Sequence, residues 1–241
     1  MEKMTKYFAI ALAMTCSCAP IASAAMAPAC VAGTLSDYIA LGSGGCYIGN
    51  DQLSSFQALS VLAGSTAIAP VGVTVTPGGS DANPTLLFNL TSAAQSNAVN
   101  DLRFTYQIGG NNITGSMITL ANTSVTADGA VTYAQNLCEA GAFGSDGVSG
   151  CTGTAAQLVA LNSGSDATTF PGVSFLHVSD DFTVDGGLSG SASGGQFIDQ
   201  FTASAAGSKV PEPTMIPVLV VGMALAFYWK RRSVAGVVNN L

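Results

Sequence analysis

The sequence predicts a mainly β protein, an antiparallel β-sandwich of jelly-roll-like or immunoglobulin-like type. Short segments alternate between apolar and polar residues, most clearly over 71–76 and 102–108, and polar or glycine-rich turns separate them. Strands do not alternate with helices, which disfavours an α/β fold. About eight or nine such segments are enough for two packed sheets.

Residues 1–24 have the features of a secretory signal peptide. Lys3 and Lys6 precede an apolar centre at 7–14, and small residues at 22–24 predict cleavage after Ala24. A second possible cleavage site lies at 25–27. Cysteines 16, 18 and 30 suggest a lipoprotein signal as the alternative, but none follows the leucine and two small residues typical of such signals.

The exported β domain is predicted to span 25–202 and to be acidic. Over 25–209 only Arg103 and Lys209 are basic, whereas twelve side chains are acidic, which gives a net charge of −10. Nucleic-acid binding requires positive charge, so this function is excluded. The acidity favours solubility over an ion-binding role.

Four cysteines remain after signal cleavage, and an even number in an exported chain predicts two disulfides. The expected pairs are Cys30–Cys46 and Cys138–Cys151, because each closes a short loop rich in glycine and serine. On the chain-entropy model each contributes about 3 kcal/mol to stability. A zinc site is the alternative, but no Cys-x-x-Cys is present and His177 is the only histidine.

The first part of the domain begins with a small disulfide-closed element over 30–46. Residues 56–62 are predicted to form a strand, with a helix as the alternative because apolar residues recur there every third position. A strand at 71–76 is expected to stop at Pro77-Gly78-Gly79, and another strand follows at 85–90.

The central segment 102–108 is predicted to place four apolar side chains on one face of a strand: Leu102, Phe104, Tyr106 and Ile108. The glycines and asparagines at 109–112 predict a turn, with 113–120 as the returning strand of a hairpin. Asp128-Gly129 is typical of a second, two-residue hairpin between Val125 and 130–133.

The last part of the domain is expected to contain one helix of two turns at 154–161, because this segment is rich in alanine and leucine. Two strand-like halves over 173–184 flank Ser179-Asp180-Asp181. A glycine- and serine-rich loop at 186–195 precedes the final strand at 196–201.

The sequence predicts no catalytic residue, no cofactor and no enzymatic activity. Nucleophile-elbow, dinucleotide-binding and P-loop patterns are absent from the sequence. His177 lies between Leu176 and Val178 in a predicted strand, where a half-buried structural role is favoured over catalysis. A glycosidase would need two opposed carboxylates, and the sequence does not place such a pair.

The best carboxylate cluster consists of Asp180, Asp181 and Asp185. Hard cations take several oxygen ligands, so the cluster is a weak calcium candidate. It lacks the spacing of a calcium-binding loop, and the alternative is a turn in which aspartate accepts local backbone hydrogen bonds.

The C-terminal region begins with a small-residue linker at 203–209. The motif Val210-Pro211-Glu212-Pro213 then precedes an uncharged run at 215–229, the basic residues Lys230, Arg231 and Arg232, and a tail at 233–241. Aromatic residues at the end of the run and the basic cluster after it predict a transmembrane helix at 214–229 with a cytoplasmic tail. A buried core helix is the alternative, but it would not need the basic cluster.

This arrangement closely resembles the PEP-CTERM sorting signal of bacterial envelope proteins, here at 210–232. The resemblance implies an exosortase as partner, recognition of Pro211, Glu212 and Pro213, and cleavage near them, with the basic cluster as the topological stop. The tail after Arg232 is longer than this family usually carries. The stretch 30–49 is similar to the opening of many PEP-CTERM ectodomains, a group that implies no active site.

Together these observations predict an exported surface or extracellular-matrix protein without catalytic activity. We expect a precursor held in the inner membrane by a single span, and a product in the cell envelope, at the surface or in the matrix. The alternative is a lectin-like module that binds envelope or biofilm polysaccharide. Acceptor patterns for N-glycosylation at Asn89, Asn112 and Asn122 do not assign a modified residue.

Overall fold

A computed structural model describes residues 27–204, and the predicted signal peptide, sorting motif, basic stop and membrane span lie outside this range. Twelve strands fill most of the described chain: β1 (Gly33–Thr34), β2 (Cys46–Ile48), β3 (Asp51–Ala58), β4 (Thr66–Ala67), β5 (Thr74–Ser80), β6 (Asn83–Gln95), β7 (Val99–Ala121), β8 (Ser124–Thr126), β9 (Ala130–Glu139), β10 (Thr154–Leu161), β11 (Ser165–Asp185) and β12 (Ser191–Ala203). Among the described residues, helical structure is limited to α1 (Leu35–Ala40) and a 3₁₀ turn at Pro70–Gly72. Within 27–204, no helix is long and apolar enough to cross a membrane.

The strands form one curled, almost entirely antiparallel sheet in the order β1-β5-β6-β12-β7-β11-β9-β10. Strands β7 and β11 are long enough to belong to both halves of it. The first part of β7 pairs with β3 and with the end of β11, whereas its last part pairs with β12 and with the start of β11. The sheet therefore folds back on itself, as in a β-sandwich, and the predicted mainly β antiparallel class is confirmed.

The core lies between the two halves and is dominated by aromatic rings. Phe197 of β12 stacks on Phe88 of β6, with ring centroids 4.6 Å apart, and meets Tyr133 of β9 at 4.5 Å and Phe182 of β11 at 5.1 Å. Such ring pairs stabilise a core beyond the area that they bury. The predicted inward face of 102–108 is confirmed, because its four apolar residues are fully or almost fully buried.

The N-terminal element is closed by the Cys30–Cys46 disulfide, as predicted. Inside it, Thr34 caps α1: its hydroxyl accepts a hydrogen bond from the Asp37 N–H, and the Asp37 carboxylate accepts from the Thr34 N–H at 2.7 Å. This reciprocal pair satisfies amide groups that a helix start leaves without partners. Leu35 and Tyr38 of α1 are buried, so the element is part of the core.

Two predicted hairpins are wrong. Residues 109–112 do not form a turn, because β7 continues through them while β11 bulges opposite, with register shifts between Thr169 and Phe175. The chain does turn at Asp128-Gly129, but β8 before the turn pairs with β12 and not with β9. Asp128 instead accepts hydrogen bonds from the amides of Leu188 and Ser189, which ties this turn to the start of β12.

Three further segments also differ from prediction. Residues 154–161 form strand β10, paired with β9 along its whole length, because packing and pairing override the helix preference of alanine and leucine. Residues 165–185 form one continuous strand without a break at 179–181. The predicted stop at Pro77-Gly78-Gly79 lies inside β5, which turns into β6 only after Ser80.

Candidate functional site

A small groove opens on the outer face of the half of the sheet that contains β3, β7 and β11. We call it the loop groove. It has a volume of about 190 Å³ and is lined by Ser55, Gln57, Thr105, Phe143 and His177, together with Tyr106, Ala142, Gly144 and Gly147. This volume is below the roughly 300–1,000 Å³ of sites for drug-sized ligands, so it suits one small ring.

The wall of the groove is the loop between β9 and β10, which the Cys138–Cys151 disulfide closes as predicted. The loop also has internal hydrogen bonds. The Asp146 carboxylate accepts from the amides of Val148 and Ser149 at 3.0 Å, and the Gly144 N–H donates to the Ser149 carbonyl at 2.7 Å. These bonds and the disulfide restrain the short loop that carries Phe143.

The opposite wall is a bulge in β3. Ser55 has a φ of +58°, and the pairing of β3 with β7 shifts register between Ser54 and Gln57. The Ser55 N–H turns away from β7 and donates to the Gly42 carbonyl at 2.9 Å. Bulges re-aim side chains, and this one directs Ser55 and Gln57 to the groove.

His177 lies at the base of the groove on β11. Its neighbours Leu176 and Val178 point into the core, so alternation places the imidazole on the outer face. The ring packs edge-on against Phe175, with centroids 5.9 Å apart. Partial burial lowers the pKa of His177 below its usual value, so the imidazole is neutral at pH 7 and can both donate and accept a hydrogen bond.

The charges around the groove favour an uncharged ligand. Arg103 is the only lysine or arginine in 27–204, and its Nε lies 3.2 Å from Asp181 Oδ2. Its guanidinium also donates to the Ser60 carbonyl at 3.1 Å. An acidic ligand would therefore meet a strongly negative domain whose one cation is already paired.

Beneath the groove, the core contains a buried polar network that connects both halves of the sheet. The hydroxyls of Tyr106 and Tyr133 donate to the two carboxylate oxygens of Asp199, the first at 2.5 Å. Gln135 donates to Asp180 at 3.3 Å and accepts from the Ser116 hydroxyl at 2.6 Å. Bulk solvent does not reach the two carboxyls, because Asp180 and Asp199 have 0% exposure, and Asp180 Oδ2 has no hydrogen-bond partner.

The two carboxyls of this network titrate differently. Burial raises the pKa of Asp199 to about 6, although the bonds from Tyr106 and Tyr133 oppose the shift. Burial and the nearby Asp199 carboxylate raise the pKa of Asp180 well above its usual value. Asp180 is therefore the protonated member of the pair at neutral pH, a common outcome for two carboxyls in one dry site.

The structure does not bring the three carboxylates of the calcium candidate together. Asp180 points into the core, Asp181 pairs with Arg103 on the outer face, and Asp185 accepts from the Gly187 N–H at 2.8 Å. Asp180 faces the side of β11 opposite to Asp181 and Asp185, and these two are four positions apart, so the three occupy no common turn. Within 27–204, no group of three or more acidic, histidine or cysteine side chains is arranged to hold a metal ion.

Asp199 on β12 and Asp51 on β3 are buried carboxyls that were not predicted from the sequence. A signal was present for Asp199, since Phe197, Asp199 and Phe201 fall at alternate positions and share one strand face. The sequence carried no such signal for Asp51, because the burial of this side chain depends on a distant part of β7.

Comparisons with known proteins place this chain in no family. No family model matches the sequence, and no curated protein matches it. Among solved structures, the chain is similar to TmCBM61 in complex with β-1,4-galactotriose, at 7% identity and a TM-score of 0.24, covering 52% of this chain and 85% of that one. It is also similar to the enzymatically active domain of bacteriophage CBA120 tailspike protein 4, at 13% identity and a TM-score of 0.24, covering 67% of this chain but 21% of that one. Likenesses this remote say nothing about what the chain binds.

Proposed function

We propose that this chain is an exported surface or extracellular-matrix protein with no catalytic activity, sorted by an exosortase through its C-terminal signal. The β domain at 25–202 is then the exported part. The motif Val210–Pro213 is the recognition site, 214–229 the membrane span of the precursor, and Lys230, Arg231 and Arg232 the topological stop.

The observation that carries this proposal is the disulfide pair in a small acidic β domain. Cys30–Cys46 and Cys138–Cys151 both have ordinary bonded geometry, with Cα atoms 4.8 and 5.5 Å apart. Such bonds persist in oxidising compartments outside the cytosol. Export agrees with the N-terminal signal in the sequence, and the PEP-CTERM resemblance supplies the sorting step.

The sorting step is tested by replacing the motif prolines together, Pro211→Ala and Pro213→Ala, in the native host. We expect full-length protein to accumulate in the inner membrane, as it should in a host that lacks the exosortase. Pro217→Ala, inside the apolar run, is the matched control and should be processed normally. Normal release of the double variant to the surface would refute the proposal.

A second candidate function is the binding of a neutral polysaccharide at the loop groove. The specific observation that favours it is Phe143, a partly exposed aromatic ring opposite Gln57 and the neutral imidazole of His177. An aromatic face and a few polar groups are the usual components of a site for a small uncharged ring. The negative domain disfavours acidic polysaccharides.

A binding screen with neutral oligosaccharides of glucose, galactose, mannose and N-acetylglucosamine tests this candidate. We expect Phe143→Ala and His177→Ala each to weaken the binding of any hit at least tenfold. Leu188→Ala removes an exposed apolar side chain away from the groove and serves as the control. Binding that survives both groove substitutions would exclude the loop groove as the site.

A further inference from the structure

Two carboxylates come together where the β2–β3 turn meets the β5–β6 turn, away from the loop groove. Asp51 is the first residue of β3, and Asp81 lies in the turn between β5 and β6. The Asn50 side chain joins the two turns by donating to Asp81 Oδ2 at 2.8 Å. No lysine, arginine or histidine lies in either turn to balance these charges.

Asp51 is buried with one oxygen unsatisfied. Its side chain is 2% exposed, and Oδ2 has no hydrogen-bond partner. A buried polar atom without a partner calls for an ion or a water molecule at that position.

The backbone makes room for both carboxylates at glycines. A Cβ on Gly110 of β7 would lie 1.8 Å from Asp51 Oδ1, and a Cβ on Gly49 would lie 1.7 Å from Asp81 Oδ1. Any larger residue at either position would push a carboxylate out of place. Burial, and after it the charge of the nearby Asp81, raise the pKa of Asp51 to about 6.

We propose that Asp51 and Asp81 bind a calcium ion at this junction, with Asn50 orienting Asp81. The ion would supply the missing partner for Asp51 Oδ2 and neutralise two like charges. Calcium fits better than magnesium, because it accepts irregular sets of oxygen ligands while magnesium demands a nearly ideal octahedron. This inference is independent of the export and sorting proposed above.

A calcium ion at this junction would stabilise the region around the end of β12. The Ala203 N–H donates to the Ala82 carbonyl next to Asp81, at 2.9 Å, and the Ser204 N–H donates to the Asn112 carbonyl close to Gly110, at 3.1 Å. The ion would thus hold the β2–β3 turn against the β5–β6 turn, and both against the end of β12.

Thermal melts of the full chain in mild detergent, after treatment with a chelator, test the proposal. Calcium sites in extracellular modules have dissociation constants of about 10⁻⁴–10⁻³ M, so 10 mM calcium should raise Tm by about 3–10 °C. Magnesium at the same concentration should give a smaller rise. Calorimetric titration should show one calcium ion per chain.

The variants Asp51→Asn and Asp81→Asn should each abolish the calcium-dependent rise. Asp51→Asn should also melt higher than the parent in chelator, because a neutral amide is cheaper to bury than a charge. Asp185→Asn is the matched control and should keep the full rise, since its amide oxygen still accepts from Gly187. The assignment would be overturned if calcium did not raise the Tm of the parent, or if magnesium raised it equally. It would also be overturned if Asp51→Asn kept the calcium-dependent rise in Tm or if Asp185→Asn lost it.

Discussion

Tyr106 and Asp199 lie 93 positions apart in the sequence, yet the Tyr106 hydroxyl donates a 2.5 Å hydrogen bond to Asp199 Oδ2 in the middle of the core. The bond joins β7 in one half of the sheet to β12 in the other. Because it ends on a buried carboxylate that accepts a second bond from Tyr133, it fixes how the two halves face each other.

Tyr106→Phe removes this bond while keeping the ring. Bonds to charged groups contribute about 1.5–3 kcal/mol, so we expect the free energy of unfolding in urea to fall by that amount. Tyr47→Phe, which removes a partly buried phenol of β2, is the control and should change stability by less than about 0.5 kcal/mol. Equal effects of the two substitutions would contradict a special role for the Tyr106–Asp199 bond.

The buried acid pair should make the protein less stable as pH rises. The folded pKa of Asp199 is about 6 and that of Asp180 is higher still, whereas both are near 3.8 in the unfolded chain. The folded state thus holds protons that the unfolded state releases. Their stabilisation is complete below about pH 4. The contribution of Asp199 is lost as pH rises through about 6 and that of Asp180 at higher pH, by up to about 1.4 kcal/mol per pH unit for each proton.

Urea unfolding of the parent and of Asp180→Asn between pH 5 and 8 checks whether stability falls as pH rises. The asparagine keeps the shape and the bond from Gln135 but cannot titrate, so the variant should lose stability less steeply and be the more stable protein at pH 7. Exposed acids whose pKa is lowered by local bonds, such as Asp146, stay ionised over this range in both states. Parallel pH profiles would show that Asp180 is not the protonated partner.

Removing the Cys138–Cys151 disulfide should open the wall of the loop groove. It spans 13 positions, and on the chain-entropy model replacing both cysteines with serine lowers the free energy of unfolding by about 3 kcal/mol. Limited proteolysis should then cut within 140–150. Replacing Cys30 and Cys46, 16 positions apart, with serine should lower the free energy of unfolding by a similar amount. The 140–150 loop should then still resist proteolysis. Cleavage of the loop in both variants would contradict its dependence on its own disulfide.

Gly147→Ala should destabilise the loop more than Gly64→Ala does. Both glycines have positive φ, +72° and +93°, so both substitutions cost about 1–2 kcal/mol in the backbone. A Cβ on Gly147 would also lie 2.8 Å from Leu59 Cδ2 and 3.1 Å from Thr105 Cγ2, whereas Gly64 has open space around it. We expect an extra loss of about 1 kcal/mol at Gly147, measured by thermal melts. Equal losses would show that the loop moves aside freely.

Part of the fold was readable because the local pattern and the tertiary structure agree. Leu102 and Phe104 alternate with polar residues and are buried, and both disulfides join cysteines that are close in sequence. The helix predicted at 154–161 failed because alanine and leucine carry little strand preference, and β10 exists through its pairing with β9. The turn predicted at 109–112 failed because a bulge in the distant β11 lets β7 continue.

The candidate sites were harder to predict than the fold. Leu176, Val178, Asp180, Phe182 and Val184 alternate perfectly, and that pattern places Asp180 in the core. The negative charge of Asp180 suggested a turn instead, because an acidic side chain is rarely buried without a partner. The partners of Asp180 come from β9 and β12, and those of the loop groove from β3 and β7, so no local window contains either set.

The chain leaves the described domain from β12, which has β6 on one side and β7 on the other. An edge strand can be peeled away one hydrogen bond at a time, but a pull on Ser204 acts on a strand that is bonded to β7 over 196–203 and to β6 over 191–200. We therefore expect the domain to resist a force applied at Ser204 better than it would if β12 were an edge strand.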